Sequence, residues 1–211
     1  MKQSATGNIA TPNCVDSKYT KEQTPMNKPI SLIAALMVAG SVSAETVDAF
    51  WSKLDGLCGM AFEGRLLASP EGHMAGDRLL MHVRECSEER IRIPFVVGDN
   101  RSRTWVLTRV GDRIELRHDH RNPDGSPEAV TLYGGLSPNR GSANAQIFPA
   151  DDQTLDSLPD NYPNVWLMEV HPGDKFIYYV RRQATERYYH VEFDLTEPVD
   201  PPPAPWGWEY D

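Results

Sequence analysis

The chain has 211 residues, of which 40% are hydrophobic and 24% charged, and its formal net charge is −9 at pH 7. That length admits one domain or two small ones. Four of the 21 Lys+Arg and two of the 30 Asp+Glu precede residue 45, so the remainder carries −11; a surface of that sign repels nucleic acid and anionic lipid, and leaves local Arg clusters as the means of holding a small anion.

Residues 1–25 are polar and show no apolar periodicity, which fits either a start-site artefact or a disordered extension. Met26-Asn27-Lys28 then opens a positive segment, and Pro29–Gly40 is an uncharged apolar run. Ser41-Val42-Ser43-Ala44 puts small residues at −3 and −1 of a cut before Glu45. This three-part layout predicts a signal peptide over 26–44. The apolar run has 12 residues, short of the roughly 20 that a membrane span needs. No cysteine follows it directly to take a lipid. The expectation is a periplasmic or secreted protein with no membrane anchor after cleavage. Cys14 lies upstream, and Cys58 and Cys86 remain in the exported part. An even count in an oxidising compartment favours a disulfide between them, with free thiols for metal or redox use as the alternative.

Thr46–Leu57 places Val47, Phe50, Trp51, Leu54 and Leu57 on one face of a helix, with Thr46 as N-cap and Gly56 and Gly59 at its end. Short strands broken by turn residues follow, expected near 60–68, 78–86, 90–97, 103–110, 113–120, 128–134, 144–149, 164–171, 175–182 and 187–195. A short helical turn is expected over 151–158. The tail over 198–211 is rich in Pro and should run extended, with Trp206 and Trp208 docked on the body of the domain, 45–197.

The turns fix several registers. Gly111-Asp112 is a good two-residue hairpin turn, which sets Arg109 opposite Ile114, Leu107 opposite Leu116, Trp105 opposite His118, and Arg103 opposite His120. This face carries the larger apolar residues and is expected to point inward. His171-Pro172-Gly173-Asp174 reads as a type II turn. That reading puts Trp166, Met168, Val170, Ile177 and Tyr179 on a core face, continued by Tyr189, Val191 and Phe193. Phe176 and Tyr178 fall on the opposite, wetter face with Glu169 and His190. Centring the first hairpin on Ser69–Gly76 brings Cys58 and Cys86 to the same end, within bridging reach.

Mainly short antiparallel connections predict an all-β fold, an up-and-down barrel of about 8–10 strands with a short N-terminal helix at one end. In its helical turn, its Gly-containing first strand (Gly59–Gly64) and its successive hairpins, the segment 45–195 resembles lipocalin-like barrels; Gly59-Met60-Ala61-Phe62 stands where that family carries Gly-x-Trp. The resemblance implies carriage of a small, often apolar ligand. The whole chain also resembles exported bacterial proteins of unassigned function, which implies export and no particular chemistry.

The segment Arg117–Gly125 (RHDHRNPDG) carries the most suggestive chemistry. On a strand, His118 and His120 project to one side. With Arg103 and Trp105 on the same face they make a candidate pocket. An Arg with two His suits a carboxylate or phosphate, and Trp105 suits an aromatic or apolar body. Arg101 and Arg109 would add to its field. A second expectation is a divalent metal held by His118 and His120, with Asp124, Glu128, His82 or Glu169 completing the set. The His-x-His strand pair resembles the cupin pattern, which implies a metal-binding protein or enzyme. A third is an envelope structural or interaction protein that uses the Trp-rich tail. Hydrolase chemistry finds little support, since Ser102, Ser126 and Ser142 stand in no Gly-x-Ser-x-Gly elbow. Cross-strand Arg, His and Trp that only satisfy one another at a barrel mouth are the structural alternative.

Overall fold

The computed structural model describes residues 45–157 and 163–208. The expected signal peptide over 26–44, the stretch 1–25 with Cys14, and the last residues of the tail lie outside them. Helix α1 (Glu45–Asp55) forms where the periodicity predicts it. Val47, Phe50, Trp51, Leu54 and, just beyond it, Leu57 are all buried. Gly59, at φ 83°, turns the chain into the first strand, a conformation that side chains with a Cβ rarely adopt.

Eleven antiparallel strands follow: β1 (Ala61–Ala68), β2 (Leu79–His82), β3 (Glu85–Cys86), β4 (Arg90–Val97), β5 (Asn100–Val110), β6 (Arg113–His120), β7 (Tyr133–Leu136), β8 (Ala145–Pro149), β9 (Asn164–His171), β10 (Lys175–Arg182) and β11 (Tyr188–Asp194). A short helix, α2 (Asp152–Ser157), lies between β8 and β9. The sheet order is β7-β6-β5-β4-β2-β1-β11-β10-β9-β8, with β3 paired to β4. The first and last strands therefore pair with each other, and the two free ends of the sheet are β7 and β8, neighbours in the chain. The result is a nearly closed up-and-down barrel, as expected, with its seam between β7 and β8. The seam is joined by few bonds. Asp151 N–H donates to the Gly134 carbonyl at 3.1 Å, and the buried Thr154 hydroxyl of α2 lies 2.7 Å from both the N–H and the carbonyl of Gly134. Gly135 makes the approach feasible, because a Cβ there would stand 1.9 Å from the Pro149 carbonyl oxygen.

One end of the barrel is stoppered by α1. Trp51 donates its indole N–H to the Ser87 carbonyl at 3.1 Å, and Arg109 lies over the Trp51 ring, 4.8 Å from its centroid, while pairing with Asp48. The tail runs over the outside of β4, β5 and β6. Val199 bridges to Ala61. Trp208 is gripped by the guanidinium groups of Arg92 and Arg121, at 3.8 and 4.6 Å from its ring, and donates to Asp119 at 3.2 Å. This cover explains why Thr104 and Asp119, on the outward face of the hairpin, are buried.

Three expectations are corrected. The strand expected over 128–134 does not form along that stretch, and the ladder with β6 occupies only Tyr133–Leu136. Upstream of it the Thr131 hydroxyl takes the His120 N–H at 2.8 Å in place of a carbonyl, and Leu132 adopts φ 56°, which interrupts the ladder. The strand expected over 78–86 divides at Val83 and Arg84, where Val83 N–H turns to the Met60 carbonyl and Arg84 N–H to that of Arg92. The third correction concerns β9 and β10. The loop between them has three residues rather than two, for His171 pairs with Lys175 and Asp174 N–H closes on the His171 carbonyl at 3.0 Å. One extra residue exchanges the two faces of β10. Phe176 and Tyr178 thus face the core opposite Val170 and Met168, whereas Ile177 and Tyr179 face out.

Cys58 and Cys86 are joined by a disulfide that links the end of α1 to β3. Their sequence separation of 28 encloses a loop whose closure, in the chain-entropy account, is worth about 3–4 kcal/mol. The double substitution Cys58→Ser/Cys86→Ser should lower the unfolding free energy in urea by about that amount. An unchanged midpoint would show that the bond adds nothing to the fold.

Candidate functional site

The site is built on the hairpin that Gly111-Asp112 sets. Arg103 pairs with His120 and Trp105 with His118, as the turn predicts. Strand alternation turns this face inward, and Trp105 and His118 are almost wholly buried. Across the barrel, β9 and β10 bring up Trp166 opposite Val180 and Met168 opposite Tyr178. Between these walls, at the end away from α1, lies a cavity of about 270 Å³. Its volume is at the lower edge of the roughly 300–1,000 Å³ typical of small-molecule sites. All four residues of the sequence-predicted pocket, Arg103, Trp105, His118 and His120, line it.

The lining is a continuous set of rings. Trp105 stacks between Phe95, at a centroid distance of 4.9 Å, and Tyr178, at 4.4 Å. His118 stacks on Tyr133 at 4.7 Å and leans on Trp166 at 5.0 Å. Offset contacts of this kind add to the stability from burial and hold each ring in place.

Both nitrogens of His118 are engaged. Nδ1 lies 3.0 Å from the Tyr133 carbonyl oxygen, which only accepts, so Nδ1 carries the proton. Nε2 must then accept, and the Tyr178 hydroxyl 2.8 Å away donates to it. Burial holds the His118 pKa down to about 3, against the opposing pull of the Tyr133 carbonyl. His120 lies nearer the mouth, with Nε2 3.0 Å from the Tyr133 hydroxyl and Nδ1 3.7 Å from Glu128. Burial, followed by the charge of Arg103, lowers its pKa to about 4. Both imidazoles are therefore neutral at pH 7. Burial also pushes the Tyr133 phenol up to about 12 and raises that of Tyr178 well above its ordinary value.

Arg103 is different. Its Nη1 is buried and meets no hydrogen-bond acceptor, and Arg103 forms no ion pair among the described residues. Arg182 and Arg187 join it in the lining nearer solvent, and no Asp or Glu lines the cavity among the described residues. In a chain of net charge −9 the cavity is thus a positive spot.

Other sequence candidates lie elsewhere. Arg101 reaches outward to the Ala204 carbonyl and holds the tail, while Arg109 serves α1 at the far end, so neither adds to the field of the cavity. Asp124 is engaged within its own turn by Ser126, and Glu169 pairs with His171. His82 pairs with Ala61 on β2. Among the described residues no group of three or more His, Cys, Asp or Glu stands close enough together to hold a metal ion. The residues that sequence reasoning missed are Tyr133, Tyr178, Phe95 and Trp166. Tyr178 was hidden by the length of the β9–β10 loop. Phe95 was legible in principle, since it pairs with Arg103.

No protein-family model, no curated protein and no solved structure matches this chain. What fold and site define together is a nearly closed antiparallel β-barrel, stoppered at one end by a helix and holding a ring-lined cavity at the other.

The histidines make stability depend on pH. Both fold with pKa values below that of a free imidazole, so between about pH 6.5 and 4 the unfolded chain binds more protons than the folded one. Their contribution is complete above about pH 6.5 and is lost as pH falls through the folded values. Each such group gives a slope of up to about 1.4 kcal/mol per pH unit. His82, whose pKa burial also lowers, contributes with the same sign. Urea titrations at pH 6 and 5 should show stability falling, and His120→Gln should flatten that fall by up to about 1.4 kcal/mol. An identical slope in the variant would show that His120 is not held neutral.

Proposed function

We propose that the chain is an exported binding protein that carries a small molecule in the cavity beside Trp105. The observation that carries this reading is the Arg103 guanidinium, charged, with a buried nitrogen that no protein atom satisfies, in the wall of a chamber lined largely by rings. A half-buried guanidinium with one buried nitrogen left without an acceptor is incompletely solvated, and a bound anion supplies the missing acceptor. An apolar concavity with a few converging polar groups is the usual form of a small-molecule site. The pairing of first with last strand and the helix at one end fit the lipocalin-like arrangement that the sequence resembles.

Export is supported by the leader-like segment 26–44 and by the Cys58–Cys86 bond, which persists in oxidising compartments. No described helix is long and apolar enough to cross a membrane. The metal-binding alternative at His118 and His120 is less well supported, because His118 uses both nitrogens inside the barrel. The partner-capture alternative for the tail is weakened by the engagement of Trp208 with Arg92, Arg121 and Asp119.

The test uses 2-naphthol, a neutral two-ring probe. It should raise the melting temperature of the full chain in proportion to its binding to the folded state. Val180 lines the cavity, and Val180→Trp should fill it and abolish the rise. No rise in the parent protein, or an equal rise in Val180→Trp, would contradict a ligand site there.

A further inference from the structure

Resting on that reading of the cavity, we infer that its ligand is a flat aromatic monocarboxylate, with the carboxylate seated on the Arg103 guanidinium and the ring system laid among Phe95, Trp105, Tyr133 and Trp166.

The argument is an inventory of hydrogen-bond donors. The proton on Nδ1 of His118 is given to the Tyr133 carbonyl. The proton of the Tyr178 hydroxyl is given to Nε2 of His118. With the His120 proton on Nδ1, turned to Glu128 3.7 Å away, Nε2 accepts from the Tyr133 hydroxyl at 3.0 Å. The floor of the cavity is thus closed on itself. What stays open is Arg103, whose Nη1 has no acceptor. A planar fork of N–H donors matches a planar carboxylate in two parallel bonds.

Charge sets the valence. With both imidazoles neutral, the depth of the cavity carries the single positive charge of Arg103. That one half-buried guanidinium balances one anionic charge. A phosphate dianion would bring a second negative charge and further acceptor oxygens to a floor where the protons of Tyr133, Tyr178 and His118 are already given. A cationic ligand would meet Arg103 with no Asp or Glu among the described lining residues to offset it. Arg187 is exposed at the mouth, in a chain whose net charge is −9, and it marks the point of entry for an anion.

Shape sets the body. The walls are rings at stacking distances from one another, between 4.4 and 5.0 Å for Trp105–Tyr178, His118–Tyr133, Phe95–Trp105 and His118–Trp166. These rings are held in place by one another, so their edges and remaining faces offer a fixed apolar wall to a flat rigid body, whereas a flexible acyl chain must be ordered in a volume of only about 270 Å³.

The experiment titrates the full chain calorimetrically with 2-naphthoate, 2-naphthamide, 2-naphthyl phosphate and octanoate, using the parent protein, Arg103→Gln and Arg103→Lys. Naphthoate should bind roughly tenfold to hundredfold more tightly than naphthamide, the range expected of hydrogen bonds to a charged partner. That advantage should vanish in Arg103→Gln and shrink in Arg103→Lys, with naphthamide affinity unchanged. Should Arg103→Gln fail to fold by circular dichroism, the parent and the Lys variant decide. Equal affinity for naphthoate and naphthamide, or tighter binding of the phosphate or of octanoate, would overturn the aromatic carboxylate and leave the cavity reading intact. No binding of any of the four probes would overturn both.

Discussion

His118 ties three strands together across the interior of the barrel, and the character of the cavity depends on that tie. Rooted on β6, its ring donates to the backbone of β7 and accepts from the Tyr178 hydroxyl on β10. Full burial holds the imidazole neutral, and the bond to the Tyr133 carbonyl places its proton on Nδ1. The bond to Nε2 uses the Tyr178 hydroxyl, and the Tyr133 hydroxyl is taken up by His120, so this part of the floor presents rings rather than free hydroxyls. Arg103, one pair along the hairpin, is left with a buried nitrogen that no protein group answers. A neutral floor beneath an unanswered cation is a different site from the metal-binding pair that two histidines on a strand first bring to mind.

The barrel solves its two ends in opposite ways. At one end α1 inserts Val47, Phe50 and Leu54 and excludes water. At the other, bulky rings meet one another before they fill the space, and a cavity remains. The hairpin that carries Arg103 and Trp105 is also held from behind. The tail crosses its outer face, and Trp208 lies against Arg92, Arg121 and Asp119. A side chain whose strand is clamped on both faces loses little further freedom when a ligand arrives, which is how a binding site is preorganised.

Much of this was legible in the chain itself. Gly111-Asp112 leaves a single sensible register for β5 and β6, and with it the placement of Arg103, Trp105, His118 and His120 on one inner face. The apolar stripe of α1 and the pairing of Cys58 with Cys86 were equally plain. The β9–β10 turn was not. Pro172-Gly173 fits a two-residue loop by composition, and nothing in the residue types announces that Asp174 belongs to the loop as well. That one residue conceals Tyr178, the partner of His118. The position of β7 was hidden for another reason. Its ladder is set by close approach at Gly134 and Gly135, where a Cβ would stand 1.9 Å from the carbonyl oxygens of Leu116 and Pro149, and such a constraint exists only once the barrel has closed.

The central claim, that His118 is a neutral crosspiece with both nitrogens committed, is read most directly by nitrogen-15 NMR of the imidazoles during an acid titration. The account predicts that His118 keeps the proton on Nδ1, leaves Nε2 unprotonated, and does not titrate until the pH approaches about 3. A His118 ring that titrates near the ordinary value of 6.5, or that carries its proton on Nε2, would contradict it.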